Sequence, residues 1–260
     1  MAVVILFVLH WQLSVFCQSF FLHRYVTHRQ FTMSPGWERF FNFLTALLQN
    51  SSYLNPRGYA ILHRMHHAYS DAEKDPHSPK TFGPIVPGLF KMMYRTKRMY
   101  HAFAYFEKEP EPRFDGDFPK SRVLEWMGKS WPMRFVWGAG FFVFYYFFVT
   151  ATWQWALLPF HWIMGAVHGA IVNWAGHRYG YRNFNLDDVS RNTLPGVDFL
   201  TAGELYQNNH HKFPMSPNFA ARWFELDTTY VVMRLFDKLG IIDMSRSQKM
   251  RYELGAERAA

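Results

Sequence analysis

The stretch FVWGAGFFVFYYFFVTATWQWALLPFHWIMGAVHGAIVNWAGH, Phe135 to His177, contains no Lys, Arg, Asp or Glu. One crossing of a bilayer's hydrocarbon core takes about 20 mainly apolar residues. This segment is long enough for two crossings and a tight turn, expected near 135–152 and 156–176, with Pro159 tolerated in the first turn of the second. Residues 2–22, AVVILFVLHWQLSVFCQSFFL, are equally free of charge and make a third. A soluble protein can hide one such segment as a core helix. Two stretches without a single charge point instead to a protein of the membrane.

Working outward, all 28 basic residues lie in 24–134 or 178–258. With three crossings those two regions share one side, and the positive-inside bias makes that side the cytoplasm. A signal peptide is a poor reading of the N-terminus, because the positive n-region and a small-residue cleavage site are missing. The expected architecture is all-α: a single multi-pass domain, 1–260, with spans near 2–22, 135–152 and 156–176. Cytoplasmic segments 23–134 and 177–260 then form a histidine-rich helical cap. Phe40 to Leu48 is apolar but too short to cross, and 219–240 carries apolar residues at helical spacing between charges; both suit interfacial helices. Residues 107–120 read as an exposed loop.

Composition narrows the chemistry. Hydrophobic residues make up 49% and charged residues 18% of the 260, against about 25% charged in an average soluble domain, so disorder is excluded. The one cysteine, Cys17, excludes a disulfide framework, a cysteine zinc cage and an iron–sulfur cluster. The net charge of +8 allows nucleic acid, anionic lipid or a phosphorylated substrate. Nucleic acid is disfavoured, since the basic residues flank apolar spans and do not form a compact face.

The 13 histidines are clustered. HRYVTH occupies 23–28, HRMHH 63–67, NWAGH 173–177 and QNNHH 207–211, and all four fall at a cytoplasmic span end or in a cytoplasmic segment. His63, His66 and His67 share one helix face, as do Gln207, His210 and His211, and Asn173 with His177. His23 and His28, five apart, diverge by roughly 140° on an ideal helix and so suit two different ions. Eight histidines with Gln207 and Asn173 exceed what one four-coordinate zinc accepts, and shared between two ions they give about five ligands each. Imidazole suits iron, zinc, copper and nickel alike, and paired Glu-x-x-His motifs of a carboxylate-bridged bundle are missing. An imidazole-rich dinuclear site is the expectation. His10, His161 and His168, inside the spans, are expected to pack or hydrogen-bond between helices; His77 is a turn or outer-shell residue, and His101 is solvated.

The order H-x-x-x-x-H, H-x-x-H-H, N-x-x-x-H, x-N-x-H-H resembles the membrane acyl-CoA desaturases of the Δ9, stearoyl-CoA type. HRMHHAYSDAEKDPH resembles that family's second box, NWAGHRYGYR its lone-histidine segment, and GELYQNNHHKFP its third box. The matching text covers roughly 11–80 and 170–240. Two departures stand out. Gln207 occupies the place where the third box usually opens with histidine, a form resembling a bacterial-like Q-x-x-H-H branch. Family members usually have four spans, and the one not read here would precede residue 1.

The resemblance implies a cis double bond, at Δ9, introduced into a saturated acyl chain. It also implies two Fe ions held by His23, His28, His63, His66, His67, His177, His210 and His211, with Gln207 and Asn173 as weaker members, and O2 as co-substrate with two electrons. Those electrons need an external donor, a ferredoxin, rubredoxin or b-type cytochrome. The location implied is the bacterial inner membrane, with the site facing the cytoplasm. Nearby carboxylates that could hold the imidazoles in place are Asp71, Glu73, Asp75, Asp187, Asp188 and Glu204. Lys91, Arg95, Lys97 and Arg98 could grip the headgroup of an acyl thioester or lipid, or simply face anionic lipid. The competing readings are a hydroxylase of the same superfamily and, in another class, a metal transporter or sensor. Transport is disfavoured, because transporters place ligands near the bilayer midplane.

Overall fold

A computed structural model describes residues 1–83, 85–116 and 118–252. Its chain is mainly helical. A helix α1 (Ala2–Cys17) runs without a break into a π-helical segment, Gln18–Thr27, and α2 (Pro35–Gln49) folds back beside it. Then come α3 (Pro56–Tyr69), α4 (Ile85–Ala104), α5 (Arg122–Lys129), α6 (Trp131–Phe148), α7 (Leu158–Ala175), a short α8 (Gln207–Lys212) and α9 (Thr228–Lys238). Two-residue strands β1 (Thr32–Met33) and β2 (Ile242–Asp243) pair antiparallel and tie the C-terminal region to the turn after the π segment.

Local chemistry sets the helix starts. Ser34 and Asn55 each precede a proline, and their side chains accept the N–H of Trp37 and Gly58. Proline's missing donor is harmless in the first turn, and its fixed φ favours the helix. Ser121, Ser130 and Asp227 cap α5, α6 and α9 in the same way.

Among the described residues, two helices are long and apolar enough to cross a membrane, Ala2–Thr27 and Thr152–Ala175. Their burial is inverted relative to a water-soluble helix. Ile5, Val8, Leu9 and Leu13 of α1 face outward while His10 and Ser14 are buried. A polar inside and an apolar outside suit a surrounding of lipid, where water is not there to penalise the exposed side chains. Inside, His10 and His161 stack with ring nitrogens 2.6 Å apart, and the Tyr145 hydroxyl lies 2.9 Å from His161 Nε2. His168 is buried beside Trp11. These buried polar residues thus join α1, α6 and α7.

The neutral stretch divides earlier than its hydropathy suggests. The expected boundaries of 135–152 and 156–176 give way to a helix ending at Phe148 and a 3-10 turn, Thr152–Leu157, leading into α7. Gln154 Oε1 accepts the N–H of Thr150 at 2.8 Å, which supplies an alternative to continued helix. At the other end, Arg134 lies inside α6, where its guanidinium donates to the carbonyls of Gly128 and Ser51. Gly138 lets α6 approach α7 closely, for a Cβ there would meet the Trp162 indole at 2.7 Å.

The two stretches expected at the interface form helices of different extent. α2 presents Trp37, Phe40, Phe43 and Leu47 outward. The expected helix over 219–240 begins only at Thr228. Before it, Glu225 accepts the backbone N–H of Ala221 and Arg222, which bends the chain into a loop. The main apolar core, with Phe20, Phe21, Leu22, Ile61, Phe103 and Met233, lies between the π segment, α3, α4 and α9. This packing fixes the elements that carry the histidines.

Candidate metal centre

Four sequence-distant stretches aim imidazoles at one place. His23, His28, His63, His67 and His210 form one group, and His66, His177 and His211 a second, each with its ligand atoms within 4.8 Å of one another. The groups adjoin: His67 and His211 have ring centroids 4.5 Å apart. In the first, His67 Nε2 lies 2.9 Å from both His63 Nε2 and His210 Nε2, and His23 Nε2 lies 3.0 Å from His210 Nε2. In the second, His66 Nε2 is 3.2 Å from both His177 Nε2 and His211 Nε2.

The sharing differs from the ideal-helix expectation. His23 and His28 do not diverge; their ring centroids are 5.0 Å apart. The π segment explains this, because its hydrogen bonds return every fifth residue, as in the bond from the His28 N–H to the His23 carbonyl. Positions i and i+5 therefore lie nearly one above the other. Conversely, His66 separates from His63 and His67, and His210 from its neighbour His211, so these two boxes each contribute to both groups.

Carboxylates set the tautomers. His66 Nδ1–H donates to Asp75 at 2.9 Å, His211 Nδ1–H to Asp188 at 2.8 Å and His23 Nδ1–H to Glu204 at 2.5 Å. His177 Nδ1 lies 3.6 Å from Asp71 Oδ2. Once a neutral imidazole donates from Nδ1, its Nε2 carries only a lone pair. His66 and His211 then turn two bare nitrogens on each other across 3.2 Å in a nearly dry pocket. That arrangement is repulsive unless a cation lies between them, so the donor set fits a metal.

The electrostatics agree at most of the ligands; at His66 burial is outweighed by Asp75, Asp71 and Asp188, which raise it above the ordinary 6.5. Burial, then the repulsion of neighbouring imidazoles, holds His28, His63, His67 and His210 well below the ordinary 6.5. Burial also takes His211 down to about 4, against the pull of Asp188. Burial alone would raise Glu204, yet His23, Arg24 and Ser19 hold it at about 2. Burial is likewise outweighed at Asp71, kept at about 2 by His177, Ser78 and the Val189 N–H, and Asp75 is lowered by His66. Neutral imidazoles backed by ionised carboxylates are the forms a metal needs.

Of the other residues singled out from sequence, Gln207 is buried, and its amide donates to the Glu204 carbonyl at 2.6 Å. Asn173 is half-buried, one turn before His177. Glu73 and Asp187 are exposed and stand apart from the imidazoles. The basic cluster on α4 divides. Arg95 and Arg98 join Lys108, Tyr94 and Met99 around an open pocket of about 350 Å3, while Lys91 and Lys97 are exposed outside it.

Sequence reasoning missed the scaffold of the third box. Asn208 Oδ1 accepts the N–H of Asn183 and Phe184; Asn209 accepts from Asn183 and Asn192 and donates to Glu225. It also missed the buried pair Arg24–Asp227, 2.8 Å apart, which backs Glu204. The only local signal was the NN between Gln207 and His210. His77 is fully enclosed against His66, and it groups with His66 and Asp75.

The profile of the fatty acid desaturase family matches residues 1–244. The chain belongs to that family. It is 30% identical to the sn-1 stearoyl-lipid 9-desaturase of Anabaena variabilis over 84% of this chain and 74% of that one. It is also 30% identical to the Delta-9 desaturase-like 4 protein of Arabidopsis thaliana, covering 86% and 69%. An acyl-CoA C20 Delta5-desaturase of Anemone leveillei is 28% identical, with 88% and 68% covered. This desaturase is therefore an oxidoreductase of a membrane-associated family that acts on fatty acyl substrates, and its histidine groups are able to hold metal.

Proposed function

We propose that this desaturase introduces a cis double bond, at Δ9, into a saturated acyl chain carried as a thioester or a lipid. The observation that carries the reading is the pair of buried Nε2 atoms of His66 and His211, 3.2 Å apart, on rings whose Nδ1 atoms face Asp75 and Asp188. His23, His28, His63, His67 and His210 hold one iron. His66, His177 and His211 hold the other, with Asn173 and Gln207 beside it, acting through water or by supporting the ligands.

Bound iron supplies activation of O2, which no side chain can provide. The balance is one chain –CH2–CH2– plus O2, two electrons and two protons, giving –CH=CH– and two waters. The protein's residues do the rest. Asp75, Asp188 and Glu204 fix the imidazole tautomers, and the enclosing core excludes water. A saturated chain has no polar handle along its length, so the bond to be oxidised is measured from the headgroup by an apolar channel. Arg95, Arg98 and Lys108 are placed to take that headgroup's negative charge. The electrons come from a separate donor docking on the cytoplasmic face. α1, α6 and α7 are the three spans, and the histidines lie at their cytoplasmic ends.

The test is direct. Iron-loaded protein in liposomes, given a saturated acyl substrate, O2 and a reductant, yields a product lighter by two hydrogens. A product heavier by one oxygen makes it a hydroxylase, and metal uptake across the vesicle without oxidation makes it a transporter.

A further inference from the structure

The segment between NWAGH (173–177) and QNNHH (207–211) runs back to α1. From Asn192 to Gly203 its only ionisable residue is Asp198, which is 0% exposed. Its carboxylate accepts the Thr201 hydroxyl and the Leu205 N–H. The residues left facing out are apolar: Leu194, Val197, Phe199 and Leu200. A loop in water normally shows the reverse pattern, with charge outside and apolar groups inside.

Its depth is fixed by α1. The Trp11 indole N–H donates to the Leu200 carbonyl at 2.7 Å. Trp11 lies 12 residues before His23, at most about 18 Å along a helix at the α-helical rise and somewhat less through the π segment, so the tip of the loop sits well below the histidine layer. His168, packed edge-on to Trp11, marks the same level on α7. α1 likewise turns Ile5, Val8, Leu9 and Leu13 outward, so helix and loop both present apolar side chains at the surface. Nearer the cap, the Tyr206 hydroxyl donates to the Pro195 carbonyl at 3.2 Å and accepts the Leu226 N–H at 2.9 Å. That joins the loop to Leu226 and to Trp223, which is 95% exposed. An indole at such a rim is at home among lipid headgroups.

We infer that residues 194–200 form a re-entrant loop inserted into the acyl region of the bilayer, with Trp223 and Leu226 at its headgroup margin. The inference rests on reading α1 as a span. It assigns lipid as the occupant because the loop is tied to α1 at Trp11, reaches that residue's depth and carries no outward charge. Part of the backbone at this depth bonds locally: the N–H groups of Val197, Leu200 and Thr201 bond to the carbonyls of Leu194, Val197 and Asp198, which an apolar medium favours.

Single-cysteine labelling tests this in reconstituted, iron-loaded protein. Cys17 is buried, so the wild type serves as the blank. Val197→Cys and, independently, Phe199→Cys carry an environment-sensitive fluorophore; Leu9→Cys reports on α1 and Lys120→Cys on an exposed loop of the cap. The labels at 197 and 199 are expected to emit blue-shifted light, quenched by nitroxides on the lipid acyl chains and untouched by aqueous iodide, as at Leu9; the label at 120 behaves oppositely. Iodide quenching at 197 and 199 with lipid quenching at Leu9 overturns the loop assignment alone. Iodide quenching at all three overturns the span of α1 as well. Shielding of 197 and 199 from both quenchers means a protein partner or second copy covers the loop, and also overturns it.

Discussion

At the residue scale, the bare nitrogens decide what the side chains are for. His66→Ala removes the imidazole that meets His177 and His211, and His211→Ala removes its counterpart. Both variants are expected to insert in the membrane, lose iron and lose turnover. His161→Ala, whose contacts are His10 and Tyr145, should keep its iron. Metal analysis of the three purified variants checks this; unchanged iron and activity in both box variants would remove them from the site. Behind the ligands, Asp75 accepts from the His66 Nδ1–H and from two backbone N–H groups. Asp75→Ala is therefore expected to weaken iron affinity by about 10–100-fold, measured against a competing chelator. The histidines were legible in the sequence because they come in boxes. Their division between two groups was not, and neither was the Arg24–Asp227 pair, since those partners are about 200 residues apart in the chain.

At the element scale, the π segment matters most. An α-helix over 18–28 would turn His23 and His28 apart; the five-residue return of the hydrogen bonds brings them together. Nothing in QSFFLHRYVT signals this locally, so an ideal-helix wheel gave the wrong face. The junction of α7 with the third box is equally specific. A Cβ on Gly176 would lie 2.5 Å from Gln207 Cγ and 2.6 Å from the Val172 carbonyl. Gly176→Ala is expected to destabilise the protein by about 1–3 kcal/mol, seen as a lower Tm, and to shift α8 enough to weaken iron binding at His177 and His211. A variant with wild-type Tm and iron content would show that this contact has slack. The helix types and the approximate places of the apolar segments followed from hydropathy and capping residues. Their ends did not: Gln154 and Glu225 divert the chain by side-chain bonds to backbone that no periodicity records.

At the scale of the whole molecule, α1 turns apolar residues outward around buried polar ones, and the stretches 2–23 and 135–177 carry no charge. That segregation was readable from the composition along the chain. The convergence of the four histidine groups was an inference from shared sidedness, and its geometry needed the fold. Protonation should oppose both fold and metal. His28, His63, His67 and His210 sit well below the ordinary 6.5 and His211 at about 4. The unfolded chain thus takes up protons first as pH drops below 6.5. Stability from these groups is full above that value and falls as the pH falls through the window beneath it. Iron retention should follow the same sign, because protons compete for the ligand nitrogens; retention that rises on acidification would contradict the assignment. The most direct measurement is the metal content of protein purified from membranes under mild, chelator-free conditions. Two iron atoms per chain, lost together with activity in His66→Ala, is the predicted result, whereas a preparation that desaturates an acyl chain with no transition metal bound would contradict the dinuclear reading outright.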